Sequence, residues 1–169
     1  MTALVNEKFQ VVNAGQLQQA LSGLPTGTTI FCHNPNHLVC KIIRTGLNSY
    51  WDHTATLVWY DGVPCIVEAK GGERIYPKLL WSWLAERTDN TFMVSPAEVD
   101  LKRIESQYGK EYDYKAVLFC MTWYELTGWW IGRTSDKNQD QWFCFELSAW
   151  YRNLPEYWNK VPDGVGGFK

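Results

Sequence analysis

The sequence has little of several things, and each shortage excludes a class of function. It has no excess of basic charge: 16 Lys and Arg stand against 18 Asp and Glu, for a formal net charge of -2. Lys and Arg do not cluster into a stripe, so neither nucleic acid nor an anionic membrane surface is an expected partner. It lacks a long apolar run as well. The most apolar stretch, "AVLFCMTWYELTGWWIG", is broken by Glu125 and Gly128 and falls short of the roughly 20 apolar residues that a spanning helix needs, so stable membrane insertion is not expected. The N-terminal "MTALVNEKFQVVNAGQL" carries polar and acidic residues where a Sec-type signal needs a continuous apolar stretch. Cytoplasmic synthesis is the expectation, with a partner required for delivery elsewhere.

Cysteine is sparse and odd in number. Five cysteines leave at least one thiol free in any compartment, and they do not form the framework of a small secreted domain. Paired C-x-x-C motifs are missing too. "CHNPNHLVC" offers Cys32, His33, His37 and Cys40, the right atom types for zinc but at the wrong spacing, so no metal and no other cofactor is expected. There is no internal repeat and no low-complexity linker, and 169 residues at 46 % apolar composition suit one core. A single domain is expected over residues 1–169, with a helical lead-in over 1–26 and a mobile Gly-rich tail over 160–169.

Aromatic residues are plentiful. Of ten tryptophans, six lie beyond residue 120: Trp123, Trp129, Trp130, Trp142, Trp150 and Trp158. Such side chains carry core energetics, though some could line a groove for a substrate with apolar or sugar faces.

Local signals point to a mixture of helices and strands. "NAGQLQQALSGLP" reads as a helix capped by Asn13, with Leu17 and Leu21 on one face. "TGTTIFCH" reads as a strand ending at Asn34-Pro35, and "HLVCKIIRTG" as a helix stopped by Gly46. The sharpest signal is "HTATLVWYDGVPCIVEAK", in which Asp61-Gly62 joins two antiparallel strands. Equidistance from that turn sets His53 opposite Lys70 and Glu68 on the diagonal, in reach if a bulge or register shift intervenes. "YPKLLWSWLAERT" reads as a helix, "NTFMVSP" as a strand, and "PAEVDLKRIESQYG" as a helix closed by Gly109. "IGRTSDKNQDQ" reads as a polar loop, and "CFELSAWYRNL" as a helix broken near Pro155.

Near the end stands "DQWFCFELSAWYRNLP", with Cys144 at the expected start of that helix. Burial between Phe143 and Phe145 suits a cysteine that serves as a small hydrophobe. A helix N-terminus also favours a thiolate, and a thiol nucleophile needs a nearby imidazole and a third polar group to hold that imidazole.

"TIFC", "HTATLVWYDGVPCIVEAKGG", "YGKEYDY" and "WFCFELSAWY" follow one another along the chain. In that order they resemble the first strand, the His and Glu-Ala strands, the Gly-Lys-x-Tyr-Asp element and the Cys-x-Glu-Leu helix of the permuted NlpC/P60 family of papain-like cysteine hydrolases, which includes YiiX-like proteins. The resemblance spans roughly Gly27 to Tyr151. It implies an α+β papain-like domain, an antiparallel sheet or small barrel packed with helices, in a bacterial or phage protein. It gives Cys144 as nucleophile, His53 as base and Glu68 as the orienting group, and has Tyr112 and Asp113 either shape the cleft or simply start the next helix; Tyr112, Trp142 and Phe145 are the residues expected to face substrate. The implied reaction is acyl-enzyme hydrolysis of an amide, in a cell-wall peptide or, as in other permuted members, of a lipid acyl group. Two departures stand out: "GTT" replaces the family's Gly-Asp turn, and Phe145 follows the cysteine where a small residue or Ser is usual. A bulky Phe145 leaves open a silent binding module that holds a peptide, glycan or lipid, and a structural or assembly protein is a further alternative. Glu146, one step past Cys144 and Phe145, is expected to serve the helix rather than the chemistry.

Overall fold

The structure is a computed structural model that describes residues 11–114, 127, 140–155, 157, 160–163 and 166–168. The aromatic stretch around Trp123 to Trp130 and most of the polar loop after it lie outside those residues. Among the described residues of the lead-in, strand β1 (Val11–Asn13) leads into helix α1 (Ala14–Leu21). Asn13 caps α1 as its sequence suggests: its side chain accepts from Gln16 N–H at 3.1 Å while Gln16 returns a bond to the Asn13 N–H.

Strand β2 (Thr29–His33) ends at the Asn34-Pro35 step and is followed by helix α2 (Leu38–Leu47). Gly46 does not stop α2. The helix runs through it and ends at Asn48, whose φ of 45° supplies the left-handed turn expected of a glycine. Strands β3 (His53–Tyr60) and β4 (Val63–Val67) form the hairpin, with Asp61 and Gly62 both at positive φ, 48° and 80°. That backbone is the one an Asp-Gly turn adopts to match strand twist.

Strand β5 (Lys78–Leu79) precedes helix α3 (Leu80–Ala85), so the start of "YPKLLWSWLAERT" is extended. Strand β6 (Thr91–Ser95) follows. Helix α4 covers only Leu101–Glu105, because Asp100 caps it from within the segment read as one long helix. Strands β7 (Glu111–Tyr112) and β8 (Gln141–Trp142) pair in parallel just before helix α5 (Cys144–Tyr151).

Six strands make one antiparallel sheet in the order β1-β6-β2-β3-β4-β5. Alternation along β3 sends Ala55 and Leu57 to one face, where they meet Leu17, Leu21, Leu80 and Trp83. Val58 goes to the other face, toward Ile104, Leu147 and Tyr151. With helices on both faces, the central strand is buried along most of its length.

Gly27 enters this sheet at φ 102°, and a Cβ there would stand 2.6 Å from the Val99 backbone nitrogen. Only glycine permits that approach. The described residues of the Gly-rich tail make contacts with one another and with the sheet. Pro162 bridges Phe168, Gly167 N–H donates to Asp163 at 2.8 Å, and the Phe168 ring stands 5.4 Å from Phe31.

Candidate functional site

His53 opens β3, paired with Cys32 of β2, so its ring stands at the end of the sheet. The hairpin register holds from Tyr60↔Val63 to Thr56↔Val67 without a bulge or shift. Extended by one residue it sets Glu68 opposite Ala55, two residues from His53 on the same face. The plain diagonal brings His53 Nε2 to 2.7 Å from Glu68 Oε2, so the bulge that the turn count called for is unnecessary.

Helix α5 packs on the opposite face of β3, fastened by two hydroxyls. Thr54 Oγ1 donates to the Cys144 carbonyl at 2.8 Å, and Ser148 Oγ donates to Thr54 Oγ1 at 2.9 Å. Cys144 is the first residue of α5 and therefore comes off the helix at the end where β3 begins. There its thiol lies beside the His53 ring, close enough for the two to interact electrostatically. Since Nε2 is engaged by Glu68, Nδ1 is the ring nitrogen left for the thiol.

The electrostatics follow from these neighbours. Burial disfavours the imidazolium, but Cys144 and Glu68 beside it outweigh burial and raise the His53 pKa from 6.5 to about 10. Burial also works against the Glu68 carboxylate. Its bonds from His53, the Arg87 charge and the Trp83 N–H overturn that, holding Glu68 at about 2 against an ordinary 4.5. Cys32 and Cys40 behave oppositely. Burial lifts Cys32 well above the ordinary thiol range, and burial together with Asp52 pushes Cys40 up to about 12, so both stay protonated at neutral pH.

A cavity of about 490 Å³ opens onto His53. Val39, Ile43, Tyr112 and Tyr114 supply apolar wall, whereas Lys70, Glu86 and Arg87 supply a charged one. Cys144 itself is 1 % exposed.

The remaining expected site residues separate. Tyr112 faces the cavity, and burial, with Cys144 nearby, holds its phenol pKa above the usual range. Trp142 and Phe145, both 0 % exposed, belong to the core rather than to the cavity wall. Trp142 donates Nε1–H to Gln107 at 3.0 Å and packs among Trp150 and Tyr157. Phe145 packs edge-on to Phe143, 5.0 Å between centroids, so its bulk is absorbed by the interior. Asp113, 1 % exposed, donates its N–H to the Trp142 carbonyl and ties β7 to β8. Glu146 turns back to accept the Phe143 N–H at 3.4 Å, as a third residue of a helix does.

Two residues that the sequence did not single out complete the surroundings of Glu68. Trp83 Nε1 donates to Oε2 at 2.8 Å, and Arg87 reaches both carboxylate oxygens, at 3.0 and 3.1 Å. The four candidate zinc residues do not converge. His33 stacks on Tyr50 and its Nδ1 lies 2.7 Å from the Tyr50 carbonyl, and His37 occupies the N-cap position of α2 without a side-chain bond to it. Among the described residues no group of three or more His, Cys, Asp and Glu side chains could hold a metal ion, and no helix there is long and apolar enough to cross a membrane.

No protein-family model matches the chain, and no curated protein matches it in sequence. The fold is similar to that of a solved structure, the metalloprotein YiiX from Escherichia coli O157:H7. The two share 17 % identity with a TM-score of 0.50, over 78 % of this chain and 68 % of YiiX. At that identity the likeness is one of fold: a mixed α/β domain with an antiparallel sheet packed by helices.

Proposed function

We propose that the protein is a cysteine hydrolase of the permuted NlpC/P60 kind that cleaves an amide bond through an acyl-enzyme. One observation carries this reading: the His53 ring is held by the Glu68 carboxylate, 2.7 Å from Nε2, beside Cys144 at the first residue of α5. Glu68 fixes the tautomer and orientation of the ring, and the ring shares its proton with the thiol. The fold likeness to YiiX and the order of the motifs support it.

In this mechanism the Cys144 thiolate attacks the carbonyl, and backbone N–H groups at the start of α5 receive the oxyanion. His53 protonates the departing amine. It then takes a proton from water as the thioester is hydrolysed, returning Cys144 to its starting form. The expected substrate is a cell-wall peptide, with a lipid-like acyl compound as the alternative, met either in the cytoplasm or through a delivery partner.

A second reading, a groove that binds without turnover, is favoured by the 1 % exposure of Cys144. Sub-stoichiometric iodoacetamide across a pH series, with the labelled cysteine mapped by mass spectrometry, separates the two. The hydrolase reading expects fast labelling of Cys144 ahead of Cys32 and Cys40, and its loss in His53→Ala. Slow or indiscriminate labelling overturns it.

A further inference from the structure

Glu68 belongs to a closed circuit of alternating charge. Arg87 joins Glu68 at 3.0 Å to Glu86 at 3.4 Å, and Lys70 joins Glu86 at 2.8 Å to Glu73 at 3.0 Å. Lys78 pairs with Glu73 and closes the circuit on Glu68 at 3.7 Å. The members differ in exposure. The Glu68 and Arg87 side chains are 2 % and 10 % exposed, whereas the other four stand between 27 % and 49 %. Three carboxylates face three cations, so the circuit is neutral. A His53 imidazolium and a Cys144 thiolate would then balance each other without disturbing it.

Within the circuit, the contact that decides geometry is the one from Arg87. One guanidinium nitrogen touches both oxygens of Glu68, and Trp83 holds the oxygen that faces His53. Rotation of the carboxyl group would break the Arg87 and Trp83 bonds together with the one to His53. The guanidinium is itself held, lying 4.3 Å from the centre of the Trp83 ring and donating to the Trp83 carbonyl at 3.1 Å. Trp83 and Arg87 are four residues apart at the end of α3, so a single turn of chain presents both groups to one carboxylate.

We infer that Arg87 and Trp83 are positioning residues: together they fix the rotation of the Glu68 carboxyl and keep it ionised, and through it they aim His53 at Cys144. The consequence for chemistry rests on the hydrolase reading above, whereas the consequence for His53 does not. A carboxylate left free to turn or to take up a proton would release the ring, and the imidazole would no longer present one fixed nitrogen to the thiol.

The test compares the wild type with Arg87→Met, Arg87→Lys and Trp83→Phe, using Arg74→Gln, from the exposed pair with Glu111, as control. Two readouts are taken on folded protein: the pH profile of Cys144 alkylation, and the nitrogen-bound proton resonance of the His53 ring. Arg87→Met is expected to slow alkylation by about tenfold or more. Its acid limb should move upward by about one pH unit as Glu68 becomes easier to protonate, with loss of the His53 resonance. Arg87→Lys keeps the charge without the two-oxygen contact, so its acid limb stays near the wild type while its rate falls. Trp83→Phe should lower the rate and shift the resonance. Arg74→Gln should change nothing.

If Arg87→Met does not fold, Arg87→Lys and Trp83→Phe carry the test. Folded variants with an unmoved profile and an unmoved resonance, whether or not their melting temperature drops, overturn the inference. A wild type without His53-dependent alkylation, but with a His53 resonance that these variants disturb, overturns the hydrolase reading and leaves the positioning role standing.

Discussion

Thr54 and Cys144, ninety positions apart, are joined by a 2.8 Å hydrogen bond from the threonine hydroxyl to the cysteine carbonyl. Thr54 is also the neighbour of His53 in β3, so one strand orients the imidazole with one residue and secures the helix that carries the thiol with the next. The two catalytic candidates are thereby referred to the same two residues of backbone.

Replacement of Thr54 by Val keeps the shape and removes both bonds. The Ser148 hydroxyl loses its acceptor inside the protein, so the variant should be less stable by ~1–2 kcal/mol, as read by urea denaturation. Cys144 alkylation should slow as well, because the start of α5 is no longer pinned to β3. Unchanged stability and an unchanged alkylation rate would show that the packing of α5 alone sets the geometry.

The pH dependence of stability follows from the two shifted groups. His53 has its pKa raised to about 10 in the folded protein, so its contribution is complete below its ordinary 6.5 and is lost as pH rises through about 10. Glu68 is depressed to about 2, so its contribution is complete above its ordinary 4.5 and is lost as pH falls through about 2. The stability difference between the wild type and Glu68→Gln should therefore be widest between pH 4.5 and 6.5 and should shrink on either side. Denaturation series at fixed ionic strength measure it. A difference that stays flat to pH 10 would mean that the pair does not carry that charge.

Tyr112 and Trp142 should part company in kinetics. Tyr112→Ala removes cavity wall and should raise KM for any substrate that acylates Cys144, with a small effect on melting temperature. Trp142→Leu deletes buried ring contacts and leaves Gln107 without the indole donor. It should cost ~3 kcal/mol with KM little changed. The reverse pattern would put the substrate on the Trp142 side.

Much of this was legible locally. Asp61-Gly62 and the alternation around it place His53 and Glu68 on one face at a diagonal, because a two-residue turn leaves the register no freedom. Asn13 and the Asn34-Pro35 break could be read in the same way. Gly46 misled because a glycine marks a helix end only where the chain must turn left-handed, and the turn came two residues later at Asn48. The two-residue strands β7 and β8 left no periodic signal, and their partners lie 30 residues apart. Phe143 offers no capping side chain, so the start of α5 was legible from the helical run that begins at Cys144 and not from a cap.

Sequence by itself determined the elements whose causes are short in range: the hairpin and its register, the first helix and its cap, and the diagonal placement of Glu68 and His53 on one face. Tertiary structure alone decided what surrounds that pair. Cys144 reaches His53 from the other layer of the domain, Trp142 and Phe145 turn inward because the interior has room for their rings, and Arg87 meets Glu68 across 19 positions. Such contacts depend on how helices dock on a sheet, and no spacing along the chain encodes a docking.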